Sequence, residues 1–282
     1  MKRSPIRTFD AKGSYESIGY GHGSQFADEI QEYAADRIRL VAGGSWSGSP
    51  IGKTDILDLA ESMIPAHRNF DEDIFSELVA LAEGAQISVA EAIIVGGFTD
   101  FVDAVRAEIG GGTPPELQED DCTAVLVPNS RAAGAGFLAQ TWDMHDTATE
   151  HVVLLRIAPD DSPAAIVFTT TGCVGQIGMN EEGVAVGINN LTGGDGKRGV
   201  AWTSVVRGML REGTADEALK VLLDADLAGA HNYLIMDKTG KGFNVEAMQS
   251  ARPVQELHGE PIVHTNHAVA SSAIAVQADP PD

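Results

Sequence analysis

Cysteine is scarce in this 282-residue chain: only Cys122 and Cys173 occur, too few for a disulfide framework, which points to a reducing compartment. Basic residues are scarce as well. Lys and Arg number 19 against 41 Asp and Glu, a formal charge of -22, and self-repulsion of that size disfavours nucleic acid or an anionic membrane as a partner. No stretch approaches the length of a transmembrane helix, and the charged residues 1–7 have no apolar run of a signal peptide behind them. The chain therefore reads as a cytoplasmic protein. It has no internal repeat and no low-complexity tract. Three enzyme signatures are also missing. No G-x-S-x-G elbow occurs, residues 193–197 lack P-loop spacing and read as a surface turn, and Cys122 is not followed by the aromatic helix start of papain-type enzymes.

What is present is a chain that is 43% hydrophobic and long enough to bury a substantial core. Residues 16 to 108 read mostly as helix. Phe26, Ile30, Ala34 and Ile38 recur at four-residue spacing, and Ile74, Leu78 and Leu81 at four and three, which sets apolar side chains along one helical face. Ser88 with Glu91 forms a capping-box start for a helix over 89–105, while Pro65 and the Gly/Ser segment 43–48 break the layer into pieces. After Cys122 the texture turns to short β-rich runs at 123–127, 137–142, 151–157, 164–170, 174–179 and 184–189, with a hairpin turn at 180–183. Helices are expected over 201–211 and from the Thr214…Glu217 capping box onward, then strands at 232–237, 242–246 and 261–265. Strands, a helical pair and more strands imply an α+β fold with two stacked sheets between helical layers.

The junction between the two textures carries the clearest chemistry. Gly110-Gly111-Gly112-Thr113-Pro114-Pro115 delivers Asp120-Asp121-Cys122-Thr123-Ala124-Val125 to the start of a strand. An ordinary thiol, with a pKa near 8.5, is only a few per cent thiolate at neutral pH and needs a base. Cutting the chain between Asp121 and Cys122 would provide one, because the new α-amine of Cys122 lies within reach of its own sulfur. Other candidates read more plainly. Cys173, in an apolar run, is a core residue, and Asp71 to Asp73 make the negative first turn of a helix. His264 and His267 lack a third ligand and sit in a strand context, so no metal site is expected.

Four segments in order resemble the family of acyl-coenzyme A:isopenicillin N acyltransferase: Ile18-Gly19-Tyr20-Gly21-His22-Gly23-Ser24; Cys122-Thr123-Ala124 with Pro128-Asn129 and Gln140-Thr141-Trp142-Asp143; Gly178-Met179-Asn180 through Asn189; and Val263-His264-Thr265-Asn266-His267. The resemblance implies an autoprocessed N-terminal-nucleophile hydrolase with the αββα four-layer sandwich. Residues 1–121 would be a mainly helical chain and 122–282 a β-rich catalytic chain, the two remaining together as one domain. It makes Cys122 the nucleophile, Asp121 and Cys122 the cleavage site, Asp143 the carboxylate that holds the new ammonium group, and Asn266 the oxyanion donor. Asn189, His22 and Trp142 become candidates for the substrate pocket. The implied substrate is a small amide or acyl thioester, with no cofactor, no metal, no nucleic acid and no membrane, and with homo-oligomerisation left open.

Two positions depart from the family pattern. Asp121 stands where the family has Gly before the nucleophile, and the family's further strands and serine–arginine pair after the Thr-Asn-His segment have no counterpart here. An alternative reading is therefore a catalytically inactive sandwich that serves as a scaffold or binding module. A third is a conventional Cys-His hydrolase with His264 or His267 as base.

Overall fold

A computed structural model of the chain describes residues 6–44, 47–109 and 122–278. A strand comes first, β1 (Arg7–Gly13), and seven helices follow it: α1 (Tyr15–Gln25), α2 (Ala27–Gly43), α3 (Lys53–Ser62), α4 (Ile64–Phe70), α5 (Glu72–Ala85), α6 (Val89–Gly96) and α7 (Phe98–Glu108). Their starts follow local chemistry. Ser14, Asp71 and Ser88 accept hydrogen bonds from free N–H groups of the first turn, and Ser88 with Glu91 closes a complete capping box. Pro65 sits in the first turn of α4, where its missing N–H costs nothing. The single helix expected over 89–105 is two helices joined at Gly97. A Cβ at Gly97 would lie 2.4 Å from the Ala201 Cβ, so the chain turns where another segment presses on it.

Helices α1 and α5 touch backbone to backbone. A Cβ added at Gly19 would stand 2.0 Å from the Glu77 carbonyl oxygen, and one at Gly23 would stand 2.1 Å from that of Leu81. The glycines of the first motif thus serve helix packing, with Gly84 meeting the Tyr20 carbonyl from the other side.

The rest of the chain supplies β2 (Ala124–Val127), β3 (Phe137–Gln140), β4 (Val152–Pro159), β5 (Ala165–Thr170), β6 (Ile177–Asn180), β7 (Ala185–Asn190), α8 (Trp202–Met209), α9 (Ala215–Asp224), β8 (His231–Met236), β9 (Gly242–Ala247), β10 (Val254–Glu256), β11 (Ile262–His264) and α10 (Ser271–Ile274). The expected strands are all found, with ends moved by one to three residues. Two more join them. β1 pairs in parallel with β4, Arg7 opposite Val153, and β10 is a short exposed edge beside β9.

One sheet has eight strands in the order β1-β4-β5-β6-β7-β8-β9-β10, the other three in the order β11-β2-β3. On one face of the large sheet Val153, Leu155, Val167, Val186, Ile188, Tyr233 and Val245 form a core with α1, α2, α8 and α9. On the other face Leu234 and Met236 pack against Ala124, Leu126 and Ile262 of the small sheet. A second helical core joins α2, α3, α5, α6 and α7. The fold is mixed α and β, with a helical layer, a large sheet and a small sheet in that order.

The small sheet lies mainly over β7 and β8, and His264 of β11 reaches Glu246 of β9. Beyond it Ile166 and Met179 are exposed, and a hollow of ≈ 390 Å³ opens between β3, Trp142 and the β4–β7 face. Residues 193–197 differ from the expected surface turn: Gly193 and Gly196 are buried, and Asp103 of α7 accepts the Gly193 and Ala230 N–H groups. The Asp103 carboxyl, paired with Arg106 at 2.9 Å, holds the segment against α7. Burial pushes Asp103 up to about 7, with Arg106 opposing. Among the described residues no single helix is long and apolar enough to cross a membrane.

Candidate active site

The ladder of the small sheet decides which candidates meet. Ala124 is paired with His264 on one side and with Gln140 on the other. Thr141 N–H donates to the Thr123 carbonyl at 2.9 Å, so the second pairing runs one residue further. Cys122 stands two residues before Ala124, Asn266 two residues after His264 and Trp142 two residues after Gln140, each just beyond the paired stretch. Strand β2 thus begins two residues after Cys122, at the end of the small sheet where these three segments leave it.

Cys122 is 3% exposed, and its sulfur lies 3.8 Å from the main-chain oxygen of Asp143. The Asp143 carboxylate turns back on its own chain, Oδ1 accepting from Met144 N–H at 3.0 Å. The structure thus brings the Asp143 main chain to the sulfur and leaves the carboxylate exposed. Asp121 lies outside the described residues.

Asn266 crosses from one sheet to the other. Its Nδ2 donates to the Asn190 carbonyl at the end of β7 at 3.0 Å, and its Oδ1 is buried without a hydrogen-bond partner among the described residues. An amide nitrogen has two hydrogens, so one remains available once the Asn190 contact is made. Asn189 is fully buried between the sheets. Its Oδ1 accepts from Asn232 at 3.2 Å, while its Nδ2 has no partner among the described residues. Across the large sheet Asn189 faces Asn232, which faces Glu246, so one polar row crosses β7, β8 and β9 at the end where Cys122 sits.

Trp142 packs edge-on against Phe168 at 5.9 Å and lines the 390 Å³ hollow together with Leu138, Leu154, Ile166 and Ile177. Gln140 fixes the gap between the sheets. Its amide pairs with both main-chain groups of Ile188 (Nε2 to O 3.0 Å, N to Oε1 2.7 Å), an approach that Gly187 permits because a Cβ there would meet the Gln140 oxygen at 2.7 Å.

His22 stands apart from these residues. It lies 2% exposed in the helical layer between Phe9 and Phe26 and accepts the Gly172 N–H at Nε2, 3.1 Å away. Burial lowers its pKa to about 4. Because the folded value lies below the ordinary 6.5, the unfolded chain takes up the proton first. The stability that neutral His22 supports is present above pH 6.5 and is lost as pH falls towards 4. Between pH 7 and pH 5 the wild type should lose about 2 kcal/mol more than a His22→Gln variant, read from urea midpoints at the two pH values.

Sequence reasoning missed the group that shapes the Asp143 loop. Arg37 of α2 is fully buried, stacks over Tyr33 (4.4 Å) and Phe98 (4.8 Å), and meets His145 Nδ1 at 2.8 Å and Thr147 Oγ1 at 2.9 Å. Burial and the Arg37 charge lower His145 to about 4, so its ring is neutral and Nδ1 accepts from the guanidinium. The helical period placed position 37 next to the core residue Ile38, but nothing local marked its charge as buried.

Two other groups look reactive and are sealed. Thr99, His231 and Asp100 stand in the order of a hydroxyl, imidazole and carboxylate (3.2 and 3.0 Å), yet all are buried and Trp202 stacks on the imidazole at 4.7 Å. Cys173 donates to the Gly96 and Gly175 carbonyls, and burial raises its thiol to about 11. The two histidines weighed as a base are engaged as well. His264 contacts the Glu246 carboxylate and the Thr265 carbonyl, each at 2.7 Å, and His267 Nδ1 lies 3.0 Å from Thr265 Oγ1.

The profile of a family described as acyl-coenzyme A:6-aminopenicillanic acid acyl-transferase matches residues 130–279. The 40 kDa form of the acyl-coenzyme A:6-aminopenicillanic-acid-acyltransferase of Emericella nidulans is 24% identical over 270 residues, covering 94% of this chain and 70% of that protein. Among solved structures, penicillin V acylase from Agrobacterium tumefaciens aligns at 13% identity with a TM-score of 0.30, over 50% of this chain and 44% of that one. A variant of the conjugated bile acid hydrolase from Clostridium perfringens aligns at 12% with a TM-score of 0.31, over 56% and 48%. The chain spans less than half the length of both solved structures. With more than half of its residues matched by the family profile, the chain belongs to the acyl-coenzyme A:6-aminopenicillanic acid acyl-transferase family.

Proposed function

We propose that this protein is an N-terminal-nucleophile cysteine acyltransferase or amidohydrolase, cut between Asp121 and Cys122 into chains of residues 1–121 and 122–282 that stay together as one αββα domain in the cytoplasm. The observation that carries the reading is the pairing of Ala124 with His264 and Gln140, which supports Cys122 and Asn266 as neighbours at one end of the small sheet. Family membership supports acyl transfer as the reaction class. The name of the Emericella nidulans relative supports an acyl thioester as donor and an amine as acceptor, with water as the alternative acceptor.

In this reading the α-amine of cut Cys122 removes the thiol proton, and the thiolate adds to the acyl carbonyl. The oxygen of the tetrahedral intermediate, now negative, is met by the second hydrogen of Asn266 Nδ2. Collapse breaks the C–N or C–S bond, and the leaving group departs with the proton held by the ammonium. Water or an amine then adds to the Cys122 thioester, gives its proton to the α-amine and releases the acyl group, restoring the thiol. Asp143 would orient the ammonium after cleavage. The hollow at Trp142 suits the apolar part of the acyl group, while Asn189 lies at the polar end; no step calls for a cofactor.

Mass spectrometry tests the intermediate. Protein mixed with an acyl-coenzyme A or an acyl p-nitroanilide and quenched in acid should carry one acyl group on Cys122. No adduct and no p-nitroaniline with any acyl chain would leave the inactive scaffold as the better reading.

A further inference from the structure

One buried carboxylate holds the segment that carries Asn266 from both sides. Glu246, near the end of β9, is 2% exposed. Its Oε1 lies 2.7 Å from His264 Nε2 and accepts the Val269 N–H at 2.7 Å, and its Oε2 accepts the Ala270 N–H at 2.9 Å. His264 precedes Asn266 by two positions and Val269 follows it by three. The same turn is closed from below by Gln277, whose Oε1 accepts the Ala268 N–H at 2.6 Å. His264 is itself 3% exposed, and with Nδ1 at 2.7 Å from the Thr265 carbonyl both its ring nitrogens face oxygens.

Burying a carboxylate with hydrogen-bonding partners in this way adds little stability over a well-packed apolar alternative, because the desolvation cost offsets the attraction. What it does supply is geometry. Three groups converge on two oxygens, and the backbone between them carries the Asn266 amide to the Asn190 carbonyl.

We propose that Glu246 and His264 are positioning residues for acyl transfer, fixing the turn at 264–270 so that Asn266 Nδ2 keeps its second hydrogen aimed at the reacting oxygen. This rests on the reading of Asn266 as the oxyanion donor. Neither residue touches the reacting atoms; each acts through Asn266. In Glu246→Gln the side-chain amide presents a donor where an N–H or the imidazole must be accepted, so one strap of the clamp is lost.

Two measurements on the full-length, processed protein decide it. Hydrogen exchange reads the clamp without any activity: the Val269 and Ala270 amides are expected to be protected in the wild type and to exchange at least tenfold faster in Glu246→Gln. Kinetics with an acyl p-nitroanilide read its purpose. Glu246→Gln and His264→Gln should each lower kcat by roughly tenfold to a hundredfold with KM little changed, the scale of a misplaced catalytic group. Combined with Asn266→Ala, neither should lower kcat further, because the donor they position is already gone. Unchanged exchange in Glu246→Gln overturns the clamp, and a double variant slower by the product of the two single losses overturns the action through Asn266. His264→Gln carries the same tests if Glu246→Gln does not fold. A wild type without turnover strikes at the acyl-transfer reading instead, and the exchange experiment still judges the clamp.

Discussion

Cys122→Ala is expected to give one uncut chain of 29.6 kDa and no turnover, where denatured wild type gives two chains that divide between Asp121 and Cys122. In the proposed mechanism the effect is all or none because one sulfur does both jobs. In the precursor it attacks the carbonyl that precedes it, moving the acyl link from nitrogen to sulfur, and water opens the resulting thioester. Only then does the α-amine exist that activates the thiol for substrate. Alanine keeps the volume low and removes both reactions, while the surrounding ladder from Ala124 to Val127 keeps its pairing with β3 and β11. Intact mass of the two proteins, side by side, is the measurement. A single chain in both would mean that wild-type Cys122 does not process itself, which removes the base this mechanism needs. Turnover by an uncut wild type would call for a histidine base, and His264 has both ring nitrogens committed to Glu246 and Thr265.

Sequence patterns gave the order of elements well, since each short strand has a β-branched or alternating run between turn residues. What they missed depends on distant chain. β1 has a single neighbour, β4, whose paired residues follow it by 146 positions, so no local signal competes with the helix that begins at Tyr15. β10 is an edge with all three residues exposed. The helix over 89–105 breaks because Ala201 presses on Gly97, a contact made across more than a hundred residues. The site divides the same way. The motifs around Cys122 and Asn266 were legible, but that their two segments run side by side follows from a register in which Ala124 pairs with His264. Glu246 and Arg37 were invisible: an acid in a strand and a base in an amphipathic helix are ordinarily solvated, and only the folded chain shows them buried with partners.

Asn266→Ala should lower kcat of the processed protein by about a hundredfold to a thousandfold, the measured worth of one oxyanion-hole donor. The loss falls on kcat because the donor meets charge that develops in the tetrahedral intermediate, while the ground-state carbonyl gains little from it; KM should change far less. The geometry gives the reason a single residue would carry so much in the proposed mechanism. Asn266 spends one hydrogen on the Asn190 carbonyl, which fixes the plane of its amide, and so presents the other without having to reorganise as the reaction proceeds. Asn266→Asp sharpens the test. A carboxylate is similar in size but has no hydrogen to give, and it would face the Asn190 carbonyl with a second acceptor, so its kcat should be at least as low as that of the alanine variant. Steady-state rates on an acyl p-nitroanilide, corrected for the fraction of cut chain, measure both. Asn266 is not the oxyanion donor if either variant retains kcat within about threefold of wild type, a loss of less than 1 kcal/mol.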